Sequence, residues 1–167
     1  MGYALFAQRK LVLDSQLNST QLQQTQRSNE QFQLATRTMS LQQQLSALHE
    51  NQAMLLQAEY EKLANVSVDK KQYEDTEGKV SEDYYKALSA ARQDVQDDIL
   101  VLQEGFKAEE EFINRQIAQV ELKENIIEME VKRLETQVSA LQQQLEKVEE
   151  AEGDSIKRAT PSFKGAA

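Results

Sequence analysis

From Tyr85 to Val148 one line of residues recurs in steps of 3 and 4, and it constrains the fold of this chain more than any other feature. The line runs Tyr85, Leu88, Arg92, Val95, Ile99, Leu102, Phe106, Glu109, Ile113, Ile117, Val120, Glu124, Ile127, Val131, Leu134, Val138, Leu141, Leu145 and Val148. Only Arg92, Glu109 and Glu124 place a charge on it. A seam that repeats every 3.5 residues stays buried on a 3.6-residue helix only when a partner helix winds along it. The repeat therefore predicts a long helix over residues 84–152 in coiled-coil contact with another helix. Between Glu109 and Val120 the steps run 4, 4, 3, an insertion that unwinds a left-handed supercoil locally.

Little in the remainder interrupts a helix. Pro161 is the single proline, and only Gly78 and Gly105 lie between the two ends. Residues 1–65 read as an N-terminal helix with an apolar start and a polar stretch from Asp14 to Gln33. Its apolar spacing returns from Leu34 through Leu41, Leu45, Leu48 and Leu63. Residues 66–83 mix charge with β-branched side chains around Gly78 and read as a polar loop, with a short extended piece at Val66 to Asp69. Ser81 followed by two acids suits a helix start, because a hydroxyl caps free amides and carboxylates favour the positive end. Residues 153–167, with Gly153, Pro161 and three cations, read as a flexible basic tail that does not continue the helix. The expected fold is all-α: a long antiparallel two-helix coiled-coil hairpin, turning within 66–83 and assembling into a larger bundle or filament.

The formal net charge of −9 is unevenly spread: +1 over residues 1–50, −12 over 51–152 and +2 over 153–167. An acidic middle argues against nucleic acid as a partner, since phosphates need a basic face. The absence of cysteine removes disulfides, thiolate nucleophiles and thiolate metal sites. At the start, the charges of Arg9 and Lys10 follow a very short apolar patch, the reverse of a secretory leader. Nothing approaches the length of a membrane span. These features suit either a cytoplasmic protein or one exported to the cell surface or beyond without a cleaved peptide.

No constellation of residues supports catalysis. The lone His49 beside Leu48 reads as a surface or seam residue, and no paired Glu-x-x-His metal motif or glycine-rich phosphate loop is present. Carboxylate runs such as Glu109 to Glu111 read as solvated faces. No enzyme activity, cofactor or metal is expected. The candidate functional residues are those of association. One set is the seam: Val95, Ile99, Leu102, Phe106, Ile113, Ile117, Val120, Ile127, Val131, Leu134, Val138, Leu141, Leu145 and Val148. The other is the N-terminal cluster Tyr3, Leu5, Phe6, Leu11, Val12 and Leu13. With only Arg9 and Lys10 nearby, that cluster suits packing on protein better than anchoring in a membrane. The polar stretch at 14–33 is expected to leave part of the long seam without an apolar partner in its own chain, open to a second subunit. The three seam charges are expected to fix register against opposite charges on a partner.

An apolar start from Tyr3 to Leu13, no Cys or Trp, abundant Gln, Asn, Ser and Thr, and no cleaved leader make this layout resemble flagellin and the filament proteins of type III injectisomes. The resemblance covers the whole chain as a plan rather than through a motif, and the Pro161-containing tail departs from it. It implies terminal helices paired as an antiparallel hairpin, and copies of the chain stacked into a helical filament with other secretion components as partners. A second reading is a monomeric cytosolic stalk, similar to the two-helix stalk proteins of export machineries. A third is a helical-hairpin chaperone of the prefoldin kind.

Overall fold

A computed structural model describes residues 2–159. Two long helices carry nearly all of them: α1, Gly2–Ala64, and α2, Glu82–Ala159, joined by a short 3-10 turn at Lys70–Gln72. The chain is all-α, a helical hairpin. It divides into two compact units, one of residues 1–36 with 120–167 and one of residues 37–119. In the first unit Lys10 pairs with Glu149 and Arg27 with Glu130. In the second His49 meets Glu110 and Tyr60 meets Gln103. In each, an advance along α1 is a retreat along α2, so the helices pair antiparallel.

The connector is compact because short polar side chains serve its free amides. Asp69 caps the 3-10 turn by accepting a hydrogen bond from the Lys71 amide at 3.0 Å. Asp75 accepts from the amides of Glu77 at 3.0 Å and Lys79 at 2.8 Å. Gly78, at φ 76°, takes the left-handed conformation that this reversal requires. An antiparallel bridge then joins Glu74 to Val80, and Asp69, at the end of the stretch expected to be extended, has extended backbone. Tyr73 and Tyr84 meet edge to face at 6.2 Å, with the Lys70 ammonium 5.8 Å from the Tyr84 ring centre. This small cluster seats the connector on the start of α2.

Three features of the long helix differ from the sequence reading. Tyr84 is buried at its start while Tyr85 is 62% exposed. Arg92 and Glu109 are exposed, and their neighbours Ala91 and Glu110 are half-buried in their stead. Arg92 keeps its hydration by a turn of one residue, and Ala91 accepts the contact at no such cost; Glu109 and Glu110 are alike in charge and length, and the packing of the partner helix decides between them. Doubled steps of 4 accordingly fall at Ala91, Val95 and Ile99 and again at Leu102, Phe106 and Glu110, and from Glu110 the steps of 3 and 4 alternate unbroken to Val148. Finally, α2 passes through Gly153 and reaches Ala159, beyond the end expected at 152. Gly153 and Ser155 are half-buried, and Lys157 and Arg158 in the last turn suit the negative end of the helix. One glycine costs a helix only about 1 kcal/mol relative to alanine, so packing and end charge outweigh it. Pro161 and residues 160–167 lie outside the described residues.

Candidate interaction surfaces

All fourteen candidate seam residues of α2 are buried or half-buried. Ile99, Phe106, Val120, Leu134 and Val148 form its buried points, with Leu134 the most enclosed at 3% exposure. No side chain among the described residues is completely enclosed. That follows from geometry: a lone partner helix covers a seam from one side and leaves its flanks wet.

In the unit of residues 37–119, α1 answers the seam with leucine. Leu41 is buried, and Leu45, Leu48, Leu56 and Leu63 are half-buried. Thr38 is the exception there, its hydroxyl buried without a hydrogen-bond partner. In the other unit the half-buried line of α1 runs Leu17, Thr20, Gln24, Arg27, Gln31 and Leu34. Its middle is polar, yet Ile127, Val131, Leu134 and Val138 on α2 are still withdrawn from water. The expectation that residues 14–33 leave the seam open is thereby corrected. Glutamine and arginine carry two or three methylenes before their polar ends, and those stems cover apolar surface while the ends reach solvent. Thr20 manages likewise: its hydroxyl donates to the Gln16 carbonyl at 2.8 Å, which satisfies the oxygen locally.

Two cations on the α1 line reach carboxylates of α2 across the pair. Arg27 donates from Nη1 to Glu30 at 2.6 Å on its own helix and from Nε to Glu130 across the pair at 2.8 Å. These contacts hold its guanidinium above the ordinary arginine value, the Glu30 bond first and Glu130 next. Lys10 is raised mainly by its hydrogen bond to Glu149, at 2.8 Å. Pairs this open to water contribute little stability but penalise a slipped register. Of the three charges expected on the seam, only Glu124 is half-buried. Glu110, one residue from Glu109, is the one that meets an opposing group, with His49 Nε2 at 3.5 Å.

The N-terminal cluster splits in two. Leu13 is buried and Phe6 half-buried, both turned into the seam, while Tyr3, Leu5, Leu11 and Val12 face solvent. The spacing accounts for the split. Phe6, Lys10, Leu13 and Leu17 follow the steps of 4, 3 and 4 that meet α2, whereas Leu5 and Val12, seven apart, share a neighbouring outer line. Further along, Leu100, Val101, Phe112, Leu122, Ile126 and Met129 of α2 are also exposed, none of them on the seam.

Between the helices of the first unit lies an open groove of about 510 Å³ beside Thr20 and Leu141, lined mostly by serine and glutamine. It has none of the convergent charged groups of a reaction centre. Among the described residues no group of three or more His, Asp or Glu side chains is placed to hold a metal ion, and no helix is long and apolar enough to cross a membrane. No family model matches the sequence, and neither does any curated protein or solved structure.

Proposed function

We propose that this chain is a structural coiled-coil subunit that associates with copies of itself, as part of a filament or secretion-related assembly. The outward face of the N-terminal cluster carries the proposal. Tyr3, Leu5, Leu11 and Val12 hold their side chains in water although a seam lies one helix face away. Leu5 and Val12, seven apart, lie on one outer line with Leu11 on the face beside it, and neighbouring exposed apolar groups of this kind are a mark of a protein contact. A seam covered from one side only gives a hairpin of this kind further reason to associate. The layout shared with flagellin-type and injectisome filament subunits supports the same reading and would put the assembly at the cell surface or outside it.

Replacement of Leu5, Leu11 and Val12 together by serine tests the proposal, since none of them lies in the seam. Helicity by circular dichroism should be kept, while the mass from light scattering falls to that of one chain. One observation favours a second reading, a monomeric cytosolic stalk: the long seam is already occupied within the chain. A parent protein that stays a monomer at high concentration would establish the stalk and overturn the assembly.

A further inference from the structure

The outer face of α2 in the unit of residues 37–119 carries an apolar line that the hairpin does not use. Val101, Gly105, Ala108 and Phe112 follow one another in steps of 4, 3 and 4, and all four are exposed, Val101 at 70% and Phe112 at 60%. Gly105 has no role inside the chain. A Cβ built on it would meet nothing within 4 Å, and its φ is not positive. A mid-helix glycine costs helix stability relative to alanine, and here neither a turn nor a close contact in the same molecule calls for one. Its bare backbone instead leaves a shallow notch between two larger apolar side chains.

Acids rim this face. Residues 94–111 hold seven carboxylates and one lysine, and Asp97, Asp98, Glu104 and Glu109 are all exposed beside the line. Among the described residues, the start of α1 presents an exposed apolar face of the opposite character. Residues 2–13 hold Arg9 and Lys10 and no acid, beside the exposed Leu5, Leu11 and Val12. Lys10 is tied to Glu149 of its own chain, which commits this segment within its own hairpin and leaves the acidic face free.

We infer that the face formed by Val101, Gly105 and Phe112 receives the N-terminal segment of a second copy, with Leu11 and Val12 against the notch and Arg9 among the acids at its rim. This rests on the self-association proposed above and adds the surface that completes it. The two faces differ, so the contact is head-to-tail and each bound copy presents a fresh acceptor face.

The chain has no cysteine, which allows a direct test in the full-length protein. Val12→Cys and Val101→Cys are made separately, then oxidised alone and as an equal mixture. The expected result is a disulfide-linked dimer in the mixture at least ten-fold above either variant alone, because about one contact in four then holds a thiol from each face and none does in either variant alone. Gly105→Gln should keep full helicity, its side chain entering open space, and should weaken assembly at least ten-fold by light scattering. If the parent assembles but the mixture gives no excess and Gly105→Gln assembles normally, the acceptor face is wrong and self-association stands. If the parent itself remains a monomer, self-association fails and the acceptor face fails with it.

Discussion

The two units solve the same packing problem with different materials. In residues 37–119 both helices bring apolar side chains, Leu41, Leu45 and Leu48 from α1 and Ile99, Phe106 and Ile113 from α2. In the middle of the other unit, from Thr20 to Gln31 on α1, α2 brings the apolar side almost alone, and α1 covers Val131, Leu134 and Val138 with threonine, glutamine and arginine. Burial on α2 is equally good in both, and Leu134, in the polar-faced unit, is the most enclosed residue described. The lesson is that a coiled-coil seam needs one helix to be strictly periodic and the other only to have reach. What the polar partner gives up is stability per residue, because a glutamine stem buries less apolar area than leucine and orders a more flexible side chain.

The largest test strikes the apolar side that both units share. Leu134→Asp removes the leucine packing at the most buried point and puts a carboxylate there, and although Arg27 and Arg133 line the adjoining groove it should cost about 3–5 kcal/mol in denaturant unfolding. An unfolding midpoint equal to the parent's would mean that the polar-faced unit has no working seam. Next comes the contrast on α1 itself. Leu41→Ala should cost about 2–5 kcal/mol, as is usual for a buried leucine, while Gln24→Ala should stay within about 0.5 kcal/mol. Equal losses at the two sites would erase the distinction between the units.

A smaller effect of opposite sign is expected at Thr38, whose hydroxyl is buried without a partner. Thr38→Val removes an unsatisfied group at nearly constant shape and should raise stability by about 1 kcal/mol; a loss measured by thermal melting would show that the hydroxyl finds a partner in solution. The smallest effect is that of pH. Lys10 is held above the ordinary lysine value by Glu149, so its contribution is complete below that value and fades as pH rises through the raised one. Glu128 is held below the ordinary glutamate value by its hydrogen bond from Lys132, so its contribution is present above that value and fades as pH falls through the depressed one. Both groups are open to solvent, so Lys10→Met and Glu128→Gln should lower the stability plateau only slightly and remove part of its fall at the alkaline and the acid end respectively. Midpoints titrated by circular dichroism that match the parent's in height and in both falls would show that these pairs carry no stability.

The α2 seam is legible in the sequence because a 3-and-4 alternation of Val, Ile and Leu is hard to bury except against a second helix. Its phase is ambiguous where polar residues sit on the line. Tyr85, Arg92 and Glu109 fit the arithmetic, but the choice between each and its neighbour depends on the packing of the partner helix, which no count of steps contains. The polar half of the α1 seam is illegible for a related reason: Thr20, Gln24, Arg27 and Gln31 keep the spacing without the hydrophobicity that would mark it. Among the association residues, the N-terminal six are visible as a group, while the division into inward Phe6 and Leu13 and outward Leu5, Leu11 and Val12 emerges only with the register. Gly105 reads in the sequence only as one of two glycines between the ends, and its meaning changes once α2 is seen to run through it with empty space beside it.

The connector between Ala64 and Glu82 also decides which molecule α1 belongs to. A slack tether would let the two helices of different copies trade partners at modest protein concentration. Here the carboxylate of Asp75 gathers two amides, Gly78 reverses the chain, and the Tyr73 amide and carbonyl are both engaged, by the Lys70 carbonyl at 2.9 Å and the Ser81 amide at 2.9 Å. A link this short and ordered presents α1 to its own α2 at an effective concentration on the order of millimolar or above. Helix exchange between copies is then a losing competition, and any assembly is built from closed hairpins meeting by their outer faces.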